Sequence, residues 1–251
     1  MKTRLKDCLA SGKGAINGWL SIPNTFTAEI MAAQDFDSVT IDLQHGLVDY
    51  QAALGMLQAM SASNATPVVR PPWLEPGIIM KLLDAGALGI ICPMVNNRAD
   101  AEQLVGICKY VPDGFRSSGP TRAGIVYGVD YHTSANDQMV IFAMIETEEA
   151  LANVDEIAAT PGLTGLYIGP SDLSISLGHK PGLDRTEPEM LETIEKIRLA
   201  AKKAGIKAGI HCLENSYAKK MLAQGFDLVT LANDVRLYSA AVSKTVSDMR
   251  G

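Results

Sequence analysis

Eight short apolar runs recur along the chain, at 15–21, 38–43, 66–70, 88–92, 140–145, 165–168, 206–210 and 227–231. Most are rich in Val, Ile and Leu and do not alternate cleanly with polar residues. Strands covered on both faces of a parallel sheet have this composition. Between the runs lie segments of helical periodicity. Leu54, Leu57 and Met60 share one face of 50–61, and Ile79, Leu82 and Leu83 one face of 76–85. Segments 191–204 and 217–223 repeat the pattern, and Gly86, Gly205 and Gly225 each follow such a segment, where helix ends favour glycine. Strand and helix in alternation build a parallel α/β sheet. Eight such units in 251 residues fit an α/β fold of the closed (β/α)8 TIM-barrel type, which takes about 250 residues. An open doubly wound sheet is the alternative that the same alternation allows. Residues 1–251 are read as a single domain.

Composition narrows the classes of function. Hydrophobic residues make up 47% and charged residues 20%, the balance of a globular chain rather than a disordered or fibrous one. A net charge of −6 argues against nucleic acid as a partner. Cys8, Cys92, Cys108 and Cys212 form no CxxC pair, and reduced thiols in a cytoplasmic protein are expected. Asp7, Ser11, Lys13 and Asn17 interrupt the first twenty residues, so no signal peptide is read there. No apolar run approaches the length of a membrane span.

The chemistry gathers after the strands. Gln44, His45 and Gly46 follow the second run and Arg70 ends the third. Glu146 follows the fifth, and Gly169-Pro170-Ser171-Asp172 the sixth. His211 follows the seventh, and Asn233 and Asp234 the eighth. In a barrel these positions share the C-terminal rim, where active sites form. Two long connections, 93–138 and 171–187, leave the same rim, and long loops in a compact fold are commonly functional. His45 and Arg70 lie one βα unit apart, as do Glu146 and Asp172, so each pair should converge on one mouth. Two carboxylates and water make a hard oxygen site for Mg2+ or Mn2+. Zinc would call for more His or Cys. Structural alternatives stand beside these readings. Glu146 opens an acidic helix start, Asp172 suits a helix cap, and Arg70 could pair with a surface acid. His45 alone could be a hydrogen-bonded structural residue. Asp42, buried at a strand end, needs a partner. His132 and His179 carry little functional weight.

The motifs Ile41-Asp-Leu-Gln-His-Gly46, Pro67-Val-Val-Arg-Pro71, Leu83-Asp-Ala-Gly-Ala87 and Gly89-Ile-Ile-Cys-Pro93 resemble the HpcH/HpaI family of class II, metal-dependent pyruvate aldolases. The resemblance continues through Gly114-Phe-Arg116, Ile145-Glu-Thr147, Asn153 and Ile168-Gly-Pro-Ser-Asp-Leu-Ser174, in order along nearly the whole chain. It implies a (β/α)8 barrel and reversible cleavage of a 4-hydroxy-2-oxo acid into pyruvate and an aldehyde. The acid would be of the 4-hydroxy-2-oxoheptanedioate or 2-keto-3-deoxy sugar acid kind, in aromatic-compound or sugar-acid catabolism. Glu146 and Asp172 would ligate a divalent cation, Mg2+, Mn2+ or Co2+. Arg70 would contact the keto oxygen, and the Ser171 and Asp172 amides the carboxylate. His45 would be the acid/base, assisted by Asp84. Because Asp84 sits late in a helix, it would reach the site from a neighbouring subunit. Trp19 and His211 would line the substrate pocket. The segment after Asn233 would pack on a neighbour in a trimer-based hexamer.

The chain departs from family members that carry Glu in place of Gln44 and Gln in place of Met144, and from relatives with an apolar residue at 211. These changes bear on substrate identity more than on reaction class. A Schiff-base aldolase needs a lysine at a strand end, and no run ends in one. A phosphosugar enzyme would offer Gly-rich turns after the seventh and eighth strands, which here lack glycine. Two alternatives remain: a carbon–carbon lyase acting on an acyl-CoA, and a non-catalytic metabolite-binding protein on the same scaffold.

Overall fold

The computed structural model describes residues 3–251. Its strands are β1 (Ala15–Leu20), β2 (Ser38–Asp42), β3 (Thr66–Arg70), β4 (Gly89–Cys92), β5 (Val140–Ile145), β6 (Gly165–Ile168), β7 (Lys207–His211) and β8 (Leu228–Thr230). Each pairs in parallel with its sequence neighbour, and β1 pairs with β8, so the sheet closes. The fold is therefore the (β/α)8 barrel, and the open-sheet alternative is excluded.

Side chains on a strand alternate between faces. The outward set, including Val39, Ile41, Val69, Ile141, Ala143, Ile145 and Ile210, packs on helices such as Tyr50–Met60, Pro76–Asp84 and Pro188–Ala204 in the main hydrophobic layer. The inward set, Ala15, Trp19, Val68, Ile91, Val140, Phe142, Met144, Tyr167 and Leu228, fills the barrel, and Leu5 and Leu9 of the helix Arg4–Ser11 join it. Small residues make room for the rings inside. A Cβ on Gly165 would fall 2.5 Å from the Phe142 ring, and one on Gly209 2.9 Å from that of Tyr167.

The long connection after β4 is more ordered than its Gly/Ser/Pro content suggests. It carries helices Arg98–Cys108, Thr121–Tyr127 and Tyr131–Gln138. Its Tyr110, Ala123, Tyr131 and Ala135 form a separate small core with Leu88, which precedes β4. Among the described residues, no helix is long and apolar enough to cross a membrane.

Candidate active site

On four strands the inward series ends in a polar residue at the C-terminal mouth. Val68 is followed two positions on by Arg70, Met144 by Glu146, and Gly209 by His211; Thr40 is followed by Asp42. Asp42, Arg70, Glu146 and His211 line one cleft of about 590 Å³ together with Trp19, His45, Ser171 and Asp172. A cavity of about 650 Å³ at the other end of the barrel, beside Arg4, Cys8 and Thr66, receives none of these strand-end groups.

Arg70 is fixed. Its Nε donates to Asp42 Oδ1 at 2.8 Å and its Nη2 to Asp42 Oδ2 at 2.6 Å. Both residues are buried. The guanidinium also lies over the Trp19 ring, 4.8 Å from its centroid, and Trp19 Nε1 donates to Asp42 Oδ2 at 3.2 Å. Asp42 Oδ1 accepts from the amides of Gln44 and His45 as well. Burial pushes the Asp42 carboxyl up, but Arg70 and these two amides outweigh it and hold the pKa below the ordinary carboxylate value. The turn carrying His45 closes tightly, since a Cβ on Gly46 would fall 2.2 Å from the Asp42 carbonyl oxygen. His45 itself is exposed at the rim.

Glu146 is 1% exposed. Its Oε1 accepts from the Met94 amide at 2.8 Å, while its Oε2 is buried without a hydrogen-bond partner. Burial raises its pKa to about 7; the Met94 amide opposes the rise and the Asp172 charge adds to it. Met94 has a left-handed φ of 56°, a conformation that costs free energy in a non-glycine residue and recurs at functional sites. A Cβ on Gly169 would sit 2.4 Å from Glu146 Oε2, so only glycine leaves the carboxylate where it is. Pro170 then opens the helix Pro170–Ser176, with Ser171 half-buried, Asp172 exposed and no side-chain cap. Among the described residues no group of three or more His, Cys, Asp or Glu converges on one point. A partnerless buried carboxylate oxygen beside a second carboxylate fits a hard cation completed by water and substrate oxygens.

A family model described as HpcH/HpaI aldolase/citrate lyase matches residues 16–241. The chain belongs to this family. A hydroxypyruvate/pyruvate aldolase of Rhizorhabdus wittichii is 44% identical over 247 residues, covering 98% of each chain. A 4-hydroxy-2-oxo-heptane-1,7-dioate aldolase of Salmonella dublin is 36% identical, covering 94% of this chain and 90% of the relative. The crystal structure of a family protein from Burkholderia cenocepacia J2315 superposes with a TM-score of 0.92 at 29% identity, over 100% of both chains.

In this HpcH/HpaI barrel, seven of the residues expected from sequence share the cleft: Trp19, His45, Arg70, Glu146, Ser171, Asp172 and His211. Asp84 does not. It ends the helix Pro76–Asp84 and accepts from Arg116 Nη2 at 2.7 Å. The Arg116 side chain is wholly buried, stacked on Tyr110 and bonded to Tyr131. Gln44 does not line the cleft either; its Oε1 is buried without a partner. Met144 does, and its apolar side chain sits beside Gly169. His132 stacks on Tyr110, and His179 pairs with Glu189. Sequence reasoning missed the Met94 amide, because a backbone donor leaves no trace in residue type.

Proposed function

We propose that this chain is a divalent-metal-dependent aldolase that reversibly cleaves a 4-hydroxy-2-oxo acid into pyruvate and an aldehyde. The observation that carries this is the Glu146 carboxylate, buried with Oε2 unpartnered, on a mouth that also holds Asp172 and the pinned Arg70. Glu146 and Asp172 would hold the cation, which when bound would supply positive charge to favour the enolate. Arg70 donates to that oxygen from a position Asp42 fixes in advance, so little reorganisation accompanies charge development. The Ser171 and Asp172 amides hold the carboxylate. His45 takes the proton of the 4-hydroxyl. The C3–C4 bond breaks, its electrons enter the enolate of pyruvate, and the aldehyde leaves; a proton from solvent then reaches C3 to complete pyruvate while His45 returns its proton to solvent, and synthesis runs the same steps backwards. Asp84 assists His45 from a neighbouring subunit of a trimer-based hexamer. Mg2+, Mn2+ and Co2+ are the cations that suit the oxygen donors. The four unpaired cysteines, three of them buried, support a cytoplasmic location.

Proton NMR of pyruvate in D2O tests the reading without a guess at the aldehyde. The stripped protein should leave the methyl protons in place, and reloading with Mg2+, Mn2+ or Co2+ should exchange them. Exchange should vanish in Arg70→Ala. Calorimetry should show Glu146→Ala losing metal affinity first. A folded wild-type protein that exchanges nothing with any of the three metals overturns the proposal.

A further inference from the structure

One wall of the cleft ends in a hydrogen-bonded chain that the reaction above does not use. Asn17, Thr230 and Tyr167 are fully buried inward residues of β1, β8 and β6. Register brings them together: Asn17 pairs with Thr230 across β1 and β8, and His211 with Thr230 across β7 and β8. One side of the Asn17 amide faces the carbonyl oxygens of Ser38 at 3.2 Å and Gly18 at 3.3 Å. Carbonyls only accept, so the amide NH2 belongs on that side and Oδ1 faces Thr230 Oγ1 at 2.9 Å. An amide oxygen also only accepts, so Thr230 directs its single proton at Asn17. Thr230 Oγ1 is then left to accept from the Tyr167 hydroxyl at 2.6 Å. With its own proton placed there, the Tyr167 oxygen accepts from His211 Nδ1 at 3.2 Å. The proton of the imidazole is thereby fixed on Nδ1. Across the ring, Nε2 keeps its unshared pair and bonds to no described residue. The ring stands edge-on to Trp19, 4.8 Å between centroids, in the wall of the cleft. Burial first, then the positive charges of Arg70 and Arg236 against the opposing Asp42, lower the His211 pKa to about 3, so the ring is neutral near pH 7.

We infer that His211 is a specificity-determining acceptor: its Nε2 receives a substrate hydroxyl, so hydroxyl-bearing substrates are favoured over their deoxy counterparts. The inference rests on the aldolase reading above. A neutral acceptor offers nothing to a carboxylate, whose oxygens also only accept, so it selects hydroxyl rather than acid. The hydroxyl can belong to the keto acid, as in hydroxypyruvate against pyruvate, or to the aldehyde, as in glycolaldehyde against acetaldehyde.

Two measurements test this. The first is 15N NMR of histidine-labelled, metal-free protein, with His211→Phe identifying one signal set among the four histidines. Nδ1 should show the protonated and Nε2 the unprotonated signature; the reverse pattern overturns the inference. The second compares kcat/KM for hydroxypyruvate over pyruvate with a common aldehyde, and for glycolaldehyde over acetaldehyde with a common keto acid. In His211→Phe one of these ratios should fall about fivefold to tenfold, the worth of one neutral hydrogen bond, and the ratio that falls names the source of the hydroxyl. Tyr167→Phe, which removes the acceptor for Nδ1–H, should mix the tautomers and lower the same ratio part-way. Both ratios unchanged in both variants overturns the inference. Failure of the aldolase reading looks different: the wild type then exchanges no pyruvate protons, while the nitrogen signature of His211 stays as assigned.

Discussion

The Asp42–Arg70 pair separates two jobs that one charged residue cannot do alone. The arginine faces the cleft, and the aspartate holds it there with both oxygens. Both are buried, so removing either partner leaves a desolvated charge behind. Asp42→Ala should cost about 3–5 kcal/mol of stability, read from the midpoint of urea unfolding. Arg70→Lys should behave differently. Lysine keeps the charge but lacks the planar fork that engages both carboxylate oxygens. Its folding should change less, while metal-dependent pyruvate exchange falls about 10²–10³-fold. Equal exchange rates in Arg70→Lys and wild type would remove the guanidinium from the reaction. Asp42 thus positions the Arg70 guanidinium. Sequence reasoning reached only half of that: a buried strand-end acid needs a partner, but two residues on different strands had to be placed side by side before the partner was evident.

At the level of the element, the period of two along each strand explains why the convergence of the candidate residues on one mouth was readable. Once a strand faces the barrel with every second residue, its last inward position must open on the mouth, so Arg70, Glu146 and His211 follow from the alternation. The eight apolar runs lie within a residue or two of the strands found. The helices Thr121–Tyr127 and Tyr131–Gln138 were not readable, because both are short, the first leaves its apolar Ile125 and Val126 exposed and the second is largely polar. Arg116, Tyr131 and Ala123 hold them by tertiary contact rather than by periodicity. The helix Thr25–Ala32 was missed because its apolar residues lie on more than one face: Ala28, Met31 and Ala32 are buried while Phe26 and Ile30 are exposed. Gly169 tests the coupling between elements. Gly169→Ala should displace the Glu146 carboxylate and weaken metal binding about 10–100-fold, the usual effect of disturbing a ligand's support, with little change in secondary structure by circular dichroism. The end of β7 gives a second test. His211 unfolded takes a proton at its ordinary 6.5 but folded only near 3. Below pH 6.5 the unfolded state therefore binds more protons, and stability falls as pH drops toward 3, by at most about 1.4 kcal/mol per pH unit. His211→Phe should remove this loss, so that its stability changes between pH 7 and pH 5 by about 2 kcal/mol less than that of the wild type, measured by denaturant unfolding at both pH values.

At the scale of the whole molecule, the last helix is the outlier. Asp234–Arg250 runs for 17 residues and buries only Asp234, which caps the turn after β1 by accepting from the amides of Ser21 and Ile22. The helix Pro188–Ala204, of equal length, buries five residues against the barrel. Along the final helix Val235, Tyr238, Val242, Val246 and Met249 fall on one face, each more than 40% exposed. An apolar stripe of this length has the character of a contact surface, and the proposed hexamer supplies the neighbour. Asp84 points the same way. Within the chain it holds Arg116 and stays clear of the cleft, so a part in the chemistry of His45 requires a second subunit. The two observations make one prediction with three readouts. Tyr238→Glu combined with Val242→Glu should reduce the sedimenting mass to smaller species while leaving helix content intact, because these side chains touch little of their own barrel. Turnover should fall with it, since the proposed reaction draws Asp84 from the neighbouring subunit. Metal affinity by calorimetry should hold, since Glu146 and Asp172 belong to the same chain. A monomeric wild type would defeat the assembly. A dissociated variant with wild-type turnover would instead confine Asp84 to holding Arg116.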